Sequence, residues 1–118
     1  MNRPRRPLGS AGLQVSIIGL GTVKLGRVRG LKYPSPSAGL PSDEVVIELL
    51  QTAAELGITV LDTAPAYGVA EARLGELLAR LGWLGGRDRW VVVTKAGEEF
   101  DDAVGESKFD FSPAAITA

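Results

Sequence analysis

The sequence predicts an α/β fold in which helices cover a parallel sheet. Residues 58–61 and 90–94 are short, near-continuous apolar runs, which is typical of strands buried on both faces. The segments after Ser42 and after Gly68 carry apolar residues at the three- and four-residue spacing of amphipathic helices. Because strands alternate with helices, we expect parallel strands joined by right-handed crossovers.

The amino-terminal part is predicted to form a β-hairpin and then the first strand of the sheet. Residues 7–8 and 13–15 flank a turn that is bounded by glycines. Residues 16–20 are expected to be a buried strand. Residues 21–42 are rich in glycine and proline and exceed the usual length of a strand-to-helix loop. We expect this segment to be irregular and to be the most mobile interior part of the chain.

Two helices follow from capping signals as well as from periodicity. Ser42 is suited to be the N-cap of the first helix, and Asp43 and Glu44 favour the positive end of the helix dipole. Gly57 is expected to end that helix. In the second helix, Gly75 costs about 1 kcal/mol relative to alanine, so we expect it to pack closely against the sheet.

Composition excludes several classes of site and partner. The 118 residues allow one domain, and the net charge of −1 gives no reason to expect nucleic acid or an anionic membrane as a partner. No stretch has the ~20 apolar residues needed to span a bilayer. With no cysteine, we expect a cytoplasmic location, with neither a disulfide framework nor a thiolate site. The absence of histidine excludes histidine-based acid–base chemistry within these residues.

An acid, a phenol and an amine follow the predicted strands. Asp62 comes directly after residues 58–61, Tyr67 lies five residues further on, and Lys95 follows residues 90–94. Because the carboxyl ends of parallel strands meet at one edge of a sheet, we expect the three side chains to converge. Each has an ordinary alternative: a cap or loop acceptor, a packed aromatic ring and a solvated strand end. Their combination at this spacing favours a site.

These side chains suit proton transfer. An unperturbed phenol titrates near pH 10, which is too high for easy proton exchange at neutral pH. A nearby ammonium group favours the phenolate form. Lys95 would supply that charge, and Asp62 would keep the lysine charged and oriented. Tyr67 is therefore predicted to be a proton donor.

The same residues belong to a longer series of motifs. In chain order these are Gly19-Leu20-Gly21-Thr22, Gly57-Ile58, Leu61-Asp62-Thr63-Ala64, Tyr67-Gly68, Glu71 with Leu74-Gly75, and Val93-Thr94-Lys95. In order and approximate spacing, the series resembles the aldo-keto reductase family from residue 7 to residue 118.

The resemblance implies the N-terminal part of a (β/α)₈ TIM barrel, made of a β-hairpin followed by about three βα units. Ser112 and Pro113 begin a third helix of which about one turn is present, and a complete barrel needs about 250 residues. We therefore expect residues 1–118 to be a truncated, N-terminal portion of a single barrel domain. The family's catalytic histidine and the loops that hold the adenosine phosphate are expected beyond residue 118.

The resemblance also implies an NAD(P)H-dependent oxidoreductase that interconverts aldehydes, ketones or sugars and alcohols by hydride transfer. Asp62, Tyr67 and Lys95 would be catalytic, with Tyr67 as the proton donor. Gly21, Thr22 and Asp62 would contact the nicotinamide side of NADP(H). The partner would be a small carbonyl compound or sugar, and the oligomeric state is open. The alternative is a non-catalytic barrel fragment or a cofactor-binding regulatory module, as potassium-channel β subunits resemble reductases.

Two other interpretations have less support. A Rossmann phosphate loop starting with Gly19 and Gly21 would need a glycine where Lys24 stands and a helix directly afterwards. The acidic segment 98–105 could suggest a metal site, but it offers no histidine or cysteine, and we expect a solvated loop there. No metal ligand is predicted.

Overall fold

The computed structural model describes residues 3–33, 39–84 and 90–117. The described chain begins with an antiparallel hairpin of β1 (Arg5–Leu8) and β2 (Leu13–Ser16). Gly9 and Gly12 have positive φ angles of 64° and 80° in the turn, a conformation that glycine adopts without strain. The predicted hairpin is confirmed.

A parallel sheet positions the remaining elements. Its strands are β3 (Gly19–Gly21), β4 (Val60–Asp62) and β5 (Val91–Val93), and β4 lies in the middle. Asp62 lies beside Gly21 on one side and beside Val93 on the other. The carboxyl ends of all three strands therefore form one row, and the predicted parallel arrangement is confirmed.

The first strand of this sheet is shorter than predicted for residues 16–20. Ile17 and Ile18 are 56% and 65% exposed, so they are not part of a buried strand. Ser16 instead joins the hairpin to the sheet. Its backbone N–H donates to Thr59 Oγ1, and its Oγ accepts from the Thr59 backbone N–H, both at 2.9 Å. This pair of bonds ties the hairpin to the chain just before β4.

The segment 21–42 is not irregular throughout. Val23–Leu25 forms one turn of 3₁₀ helix, and Leu25 is buried in the core. Gly26 lies so close to the chain before the second helix that a Cβ there would overlap the backbone of Tyr67 and Ala70. Residues 34–38 lie outside the described residues. The expected irregularity is therefore confirmed for residues 26–33 and 39–42 and is wrong only for the 3₁₀ turn. The mobility of the segment stays a prediction.

Helix α1 begins and ends where its capping residues predict, whereas α2 begins after Val69, which provides no side-chain cap. Helix α1 (Asp43–Glu55) starts after Ser42, whose hydroxyl accepts from the Val45 N–H at 3.4 Å. Gly57 follows it with a φ of 76°. Helix α2 (Ala70–Arg80) is followed by Gly82, which has a φ of 68°. The signals predicted for α1 are confirmed, because Ser42 and Gly57 each satisfy or accommodate backbone groups at a helix end.

Gly75 contradicts its predicted close packing. A Cβ built on Gly75 would meet no atom within 4 Å among its described surroundings. The glycine in α2 therefore lacks a packing contact that would offset its low helix propensity.

The core lies between the two helices and the sheet. Its buried residues are Leu25, Val46, Leu50, Ala53, Leu61, Leu74, Leu77, Leu78 and Trp90. Arg73 adds a polar connection across this layer. Its guanidinium donates to Asp43 Oδ1 at 2.8 Å and to the Leu25 carbonyl at 3.0 Å. The residue thereby joins α2, the start of α1 and the 3₁₀ turn.

The acidic segment after Lys95 forms a second hairpin and is not the solvated loop that the sequence predicts. Strand β6 (Glu98–Asp101) pairs with β7 (Glu106–Phe109) in antiparallel register. Glu98 accepts a bond from Ser107 Oγ at 2.6 Å, and Asp101 accepts one from the Ala103 N–H at 3.0 Å. Glu98 and Asp101 therefore help to hold the hairpin and its turn. Among the described residues, no group of three or more acidic side chains is placed to hold a metal ion.

A short helix, α3 (Pro113–Thr117), ends the described chain. Ser112 Oγ accepts from the Ala115 N–H at 3.3 Å, which confirms the predicted cap. Over the described ranges, the strands form two hairpins and one open parallel sheet, and no closed barrel. None of the helices found there has the length and apolar character needed to cross a bilayer.

Candidate active site

Three predicted residues meet at the carboxyl end of the parallel sheet. Asp62 is the last residue of β4, Lys95 follows β5, and Tyr67 lies in the loop between β4 and α2. Lys95 Nζ donates to Asp62 Oδ1 and to the Thr63 carbonyl, both at 2.9 Å. Asp62 and Lys95 are half exposed, so the pair faces an accessible surface.

Tyr67 lies beside the same ammonium group. Lys95 Nζ is 5.0 Å from the centroid of the Tyr67 ring. This distance is within the range of cation–π attraction, which favours a charged lysine next to the ring. The structure thus brings Asp62, Tyr67 and Lys95 together, while their catalytic roles stay predictions.

The pKa of Lys95 is raised above its ordinary value of 10.5. Burial is the largest single influence and would lower the pKa, because it disfavours the charged form. Hydrogen bonding to the side chains of Asp62 and Tyr67 and the negative charge of Asp62 act in the opposite direction and outweigh it. Lys95 is therefore an ammonium group at neutral pH.

Thr22 holds the end of β4 in place. Its backbone N–H and its hydroxyl both donate to the Asp62 carbonyl, at 3.1 Å and 2.9 Å, and the residue is fully buried. Because the Thr22 hydroxyl already donates to the Asp62 carbonyl, its role in the structure is to hold the backbone of Asp62. A direct contact between Thr22 and a cofactor stays a prediction.

Gly21 and Asp62 fit the predicted nicotinamide contact better. A Cβ on Gly21 would meet no described atom within 4 Å, so there is open space beside the end of β3. The half-exposed Asp62 carboxylate borders this space, because Asp62 pairs with Gly21 across the sheet. A flat polar ring could approach the backbone there, since glycine has no side chain to block it.

Two residues that support the site, Glu71 and Arg27, were not predicted as parts of it. Thr94, which precedes Lys95, donates from its hydroxyl to Glu71 Oε1. Ala66, which precedes Tyr67, accepts from Arg27 Nη1 at 3.1 Å. Glu71 is part of the motif series, which was the available signal. Arg27 gave none, because its partner is 39 residues away in the sequence.

The fold and the site together define the class of protein: an α/β protein whose polar site lies at the carboxyl ends of its parallel strands. The model of the aldo/keto reductase family matches residues 17–118. The chain therefore belongs to the aldo/keto reductase family, whose members are oxidoreductases that generally bind nicotinamide cofactors. The family fold is a (β/α)₈ barrel.

Two solved structures from Pseudomonas aeruginosa, both provisionally assigned as aldo-keto reductases, are similar to this chain. One is 52% identical with a TM-score of 0.72, and the other is 50% identical with a TM-score of 0.73. Each match covers 94% of this chain but only 38% and 36% of the two solved chains. The chain thus spans less than two fifths of the length of these structures.

Proposed function

We propose that the protein containing this chain is an NADP(H)-dependent oxidoreductase that interconverts small aldehydes, ketones or sugars and alcohols. In this proposal, residues 1–118 supply the N-terminal part of one barrel domain and work in the cytoplasm. Family membership supports an oxidoreductase in general. The observation that carries the finer proposal is the meeting of Asp62, Tyr67 and Lys95, with the ammonium 2.9 Å from the carboxylate and 5.0 Å from the phenol ring.

Each of the three residues has a distinct part in the proposed reaction. The nicotinamide, when bound, supplies hydride to the carbonyl carbon or accepts it from the alcohol. In reduction, the Tyr67 hydroxyl gives its proton to the carbonyl oxygen as the C=O double bond becomes a single bond. The Lys95 ammonium stabilises the phenolate that remains. In oxidation, the same phenolate takes the proton back from the alcohol.

Asp62 keeps this arrangement in place. Its bond to Lys95 Nζ fixes one ammonium hydrogen, and the Thr63 carbonyl fixes another. The two acceptors belong to the last residue of β4 and to the residue after it. They therefore hold the Lys95 ammonium at the start of the loop that carries Tyr67. Gly21 and Asp62 would bind the nicotinamide side of the cofactor, with Thr22 supporting them. The choice of NADP(H) over NAD(H) rests on the family resemblance.

The first prediction concerns Tyr67. In the full protein that contains this chain, Tyr67→Phe should lower kcat for aldehyde reduction by about 10²- to 10⁴-fold, the usual size of a general-acid contribution. Consumption of NADPH, followed by its absorbance, measures the rate, and fluorescence titration measures cofactor binding. Binding should persist because the hydroxyl is not a proposed cofactor contact.

Tyr33→Phe is the matched control, since Tyr33 is largely exposed and lies outside the site. It should leave kcat unchanged. An active Tyr67→Phe variant would refute the proposed mechanism. Cofactor binding without turnover of any aldehyde, ketone or sugar by the unaltered protein would support the alternative, a non-catalytic module of the same fold.

A further inference from the structure

We propose that Arg27 is a positioning residue for Tyr67 and that it couples the tyrosine loop, residues 63–69 between β4 and α2, to the β6–β7 hairpin. The importance of this positioning for turnover rests on the proposed function. The contacts from which the positioning role is inferred do not depend on the proposed function. The inference assigns a role in the site to Arg27 and to a hairpin, neither of which the mechanism above uses.

The Arg27 guanidinium binds three backbone carbonyls. Nη1 donates to Ala66 at 3.1 Å, Nε to Arg29 at 2.8 Å and Nη2 to Gly30 at 3.2 Å. Its side chain is only 12% exposed. A planar guanidinium presents several donors in fixed directions, which suits carbonyls that converge from different segments. Arg27 therefore joins its own loop to the chain just before Tyr67.

The other side of the guanidinium rests on the second hairpin. Its central carbon lies 3.5 Å from the centroid of the Phe100 ring, and Nη1 is 3.9 Å from Glu98 Oε1. The stacking on Phe100 and the acidic neighbour restrict where the charged group can lie. Consequently, the position of β6 helps to set the position of the donor that reaches Ala66.

The bond to Ala66 controls the peptide that leads into Tyr67. Ala66 is buried, and its carbonyl belongs to the same planar peptide group as the Tyr67 nitrogen. That nitrogen also donates to the Ala64 carbonyl at 3.0 Å. With both sides of the peptide held, the Tyr67 ring is directed towards Lys95. Without Arg27, the Ala66 carbonyl would be left buried without this donor, and the peptide would be free to turn.

The test compares Arg27→Met with Arg29→Met in the full protein. Arg29 is a matched control, because it also binds the second hairpin, through the Asp102 carbonyl at 2.7 Å, and its side-chain hydrogen bonds to described residues go to that hairpin and not to the tyrosine loop. The readout is the NMR shift that the Tyr67 ring current imposes on the side-chain protons of Lys95. Tyr67→Leu gives the reference without the ring.

In Arg27→Met, we expect the Lys95 shifts to move most of the way to the Tyr67→Leu reference. In Arg29→Met, they should stay at their original values. Arg27→Lys should behave like Arg27→Met, since an ammonium cannot reproduce the three-carbonyl fork. If turnover follows the proposed mechanism, kcat should fall about tenfold to a hundredfold in Arg27→Met with the KM for cofactor unchanged.

Phe100→Leu is the second variant, to be used if Arg27→Met fails to fold. It removes the surface beneath the guanidinium but keeps the donor, so the Lys95 shifts should move in the same direction by a smaller amount. Unchanged Lys95 shifts in folded Arg27→Met or Phe100→Leu would overturn the inference, as would an equal movement in Arg29→Met. Displaced Lys95 shifts in a protein without reductase activity would leave the inference standing and refute the proposed function alone.

Discussion

Lys95 is held by a carboxylate, a carbonyl and a phenol ring, and its charge should contribute to stability as well as to chemistry. We expect Lys95→Met to lower the free energy of unfolding by no more than about 1 kcal/mol, because the pair with Asp62 is half exposed. Since the folded state raises the pKa of Lys95 above 10.5, this contribution is present below that pH and is lost as the pH rises through the folded value.

Urea unfolding of both proteins over a range of pH measures the difference. The stability gap should be constant from about pH 7 to about pH 9 and should narrow above 10.5, where the amine of the original protein loses its proton. Lys108→Met, on the second hairpin, serves as the comparison. A gap that widened at alkaline pH would contradict the sign argued for Lys95.

Gly26 shows how a single missing side chain supports the tyrosine loop. Its backbone carbonyl accepts from the Val69 N–H at 3.2 Å, and an added Cβ would overlap main-chain atoms of Tyr67 and Ala70. Because backbone cannot move aside as a flexible side chain can, Gly26→Ala should destabilise the protein by about 1–3 kcal/mol. In the same unfolding assay, Gly21→Ala should change stability by much less, since its Cβ would meet open space. Equal losses would show that the close approach at Gly26 does not matter.

At the scale of the element, helix α2 contains a position, Gly75, at which a substitution should increase the stability of the protein. Gly75→Ala should raise the free energy of unfolding by about 0.5–1 kcal/mol, since alanine favours the helix and no described atom lies within 4 Å of the new methyl group. Thermal unfolding followed by circular dichroism measures it. A loss of stability would instead support the close packing that the sequence led us to expect.

The elements that the sequence predicts well are those defined by short-range chemistry. Ser42 caps α1 through a residue three positions away, and Gly57 ends the same helix through its own φ angle. The β6–β7 hairpin was not predicted, because the acidic run Glu98-Glu99-Phe100-Asp101-Asp102 resembles a solvated loop. What distinguishes it is tertiary: Phe100 lies against Arg27, and Arg29 binds the turn.

The same distinction applies to the candidate site. Parallel strands present their carboxyl ends at one edge, so strand-end placement alone predicts that Asp62 and Lys95 meet. No short-range pattern predicts that Arg27 reaches Ala66, because the contact depends on the path of the loop after β3. Likewise, the open space around Gly75 is a property of the packed molecule and cannot be derived from helix propensity.

At the scale of the whole molecule, the parallel sheet has two open edges among the described residues, since β3 and β5 each pair only with β4. Apolar side chains of β5, Val92 and Val93, are exposed. Open edges and exposed apolar faces favour association. We therefore expect the 118-residue chain, made alone, to be oligomeric or poorly soluble, and to show no measurable carbonyl reduction with NADPH.

Analytical ultracentrifugation tests this expectation with two lysine substitutions at equally exposed valines. Val92 and Val69 are each 54% exposed, but only Val92 lies on the open edge strand. Val92→Lys should shift the chain towards the monomer, because a charged group on an edge strand opposes pairing. Val69→Lys should not. A monomeric original chain, or turnover by it, would show that the open sheet edge does not govern its behaviour.

The bonds that Arg27 and Arg29 make also bear on when the site forms. Arg27 binds a carbonyl 39 residues later in the chain, and Arg29 binds one 73 residues later. Contacts between distant residues carry a large loop-closure cost and tend to form after local structure. During synthesis, Tyr67 would therefore emerge and its helix could form well before Phe100 exists to support Arg27. The tyrosine should reach its final orientation only after the second hairpin has been made and has docked.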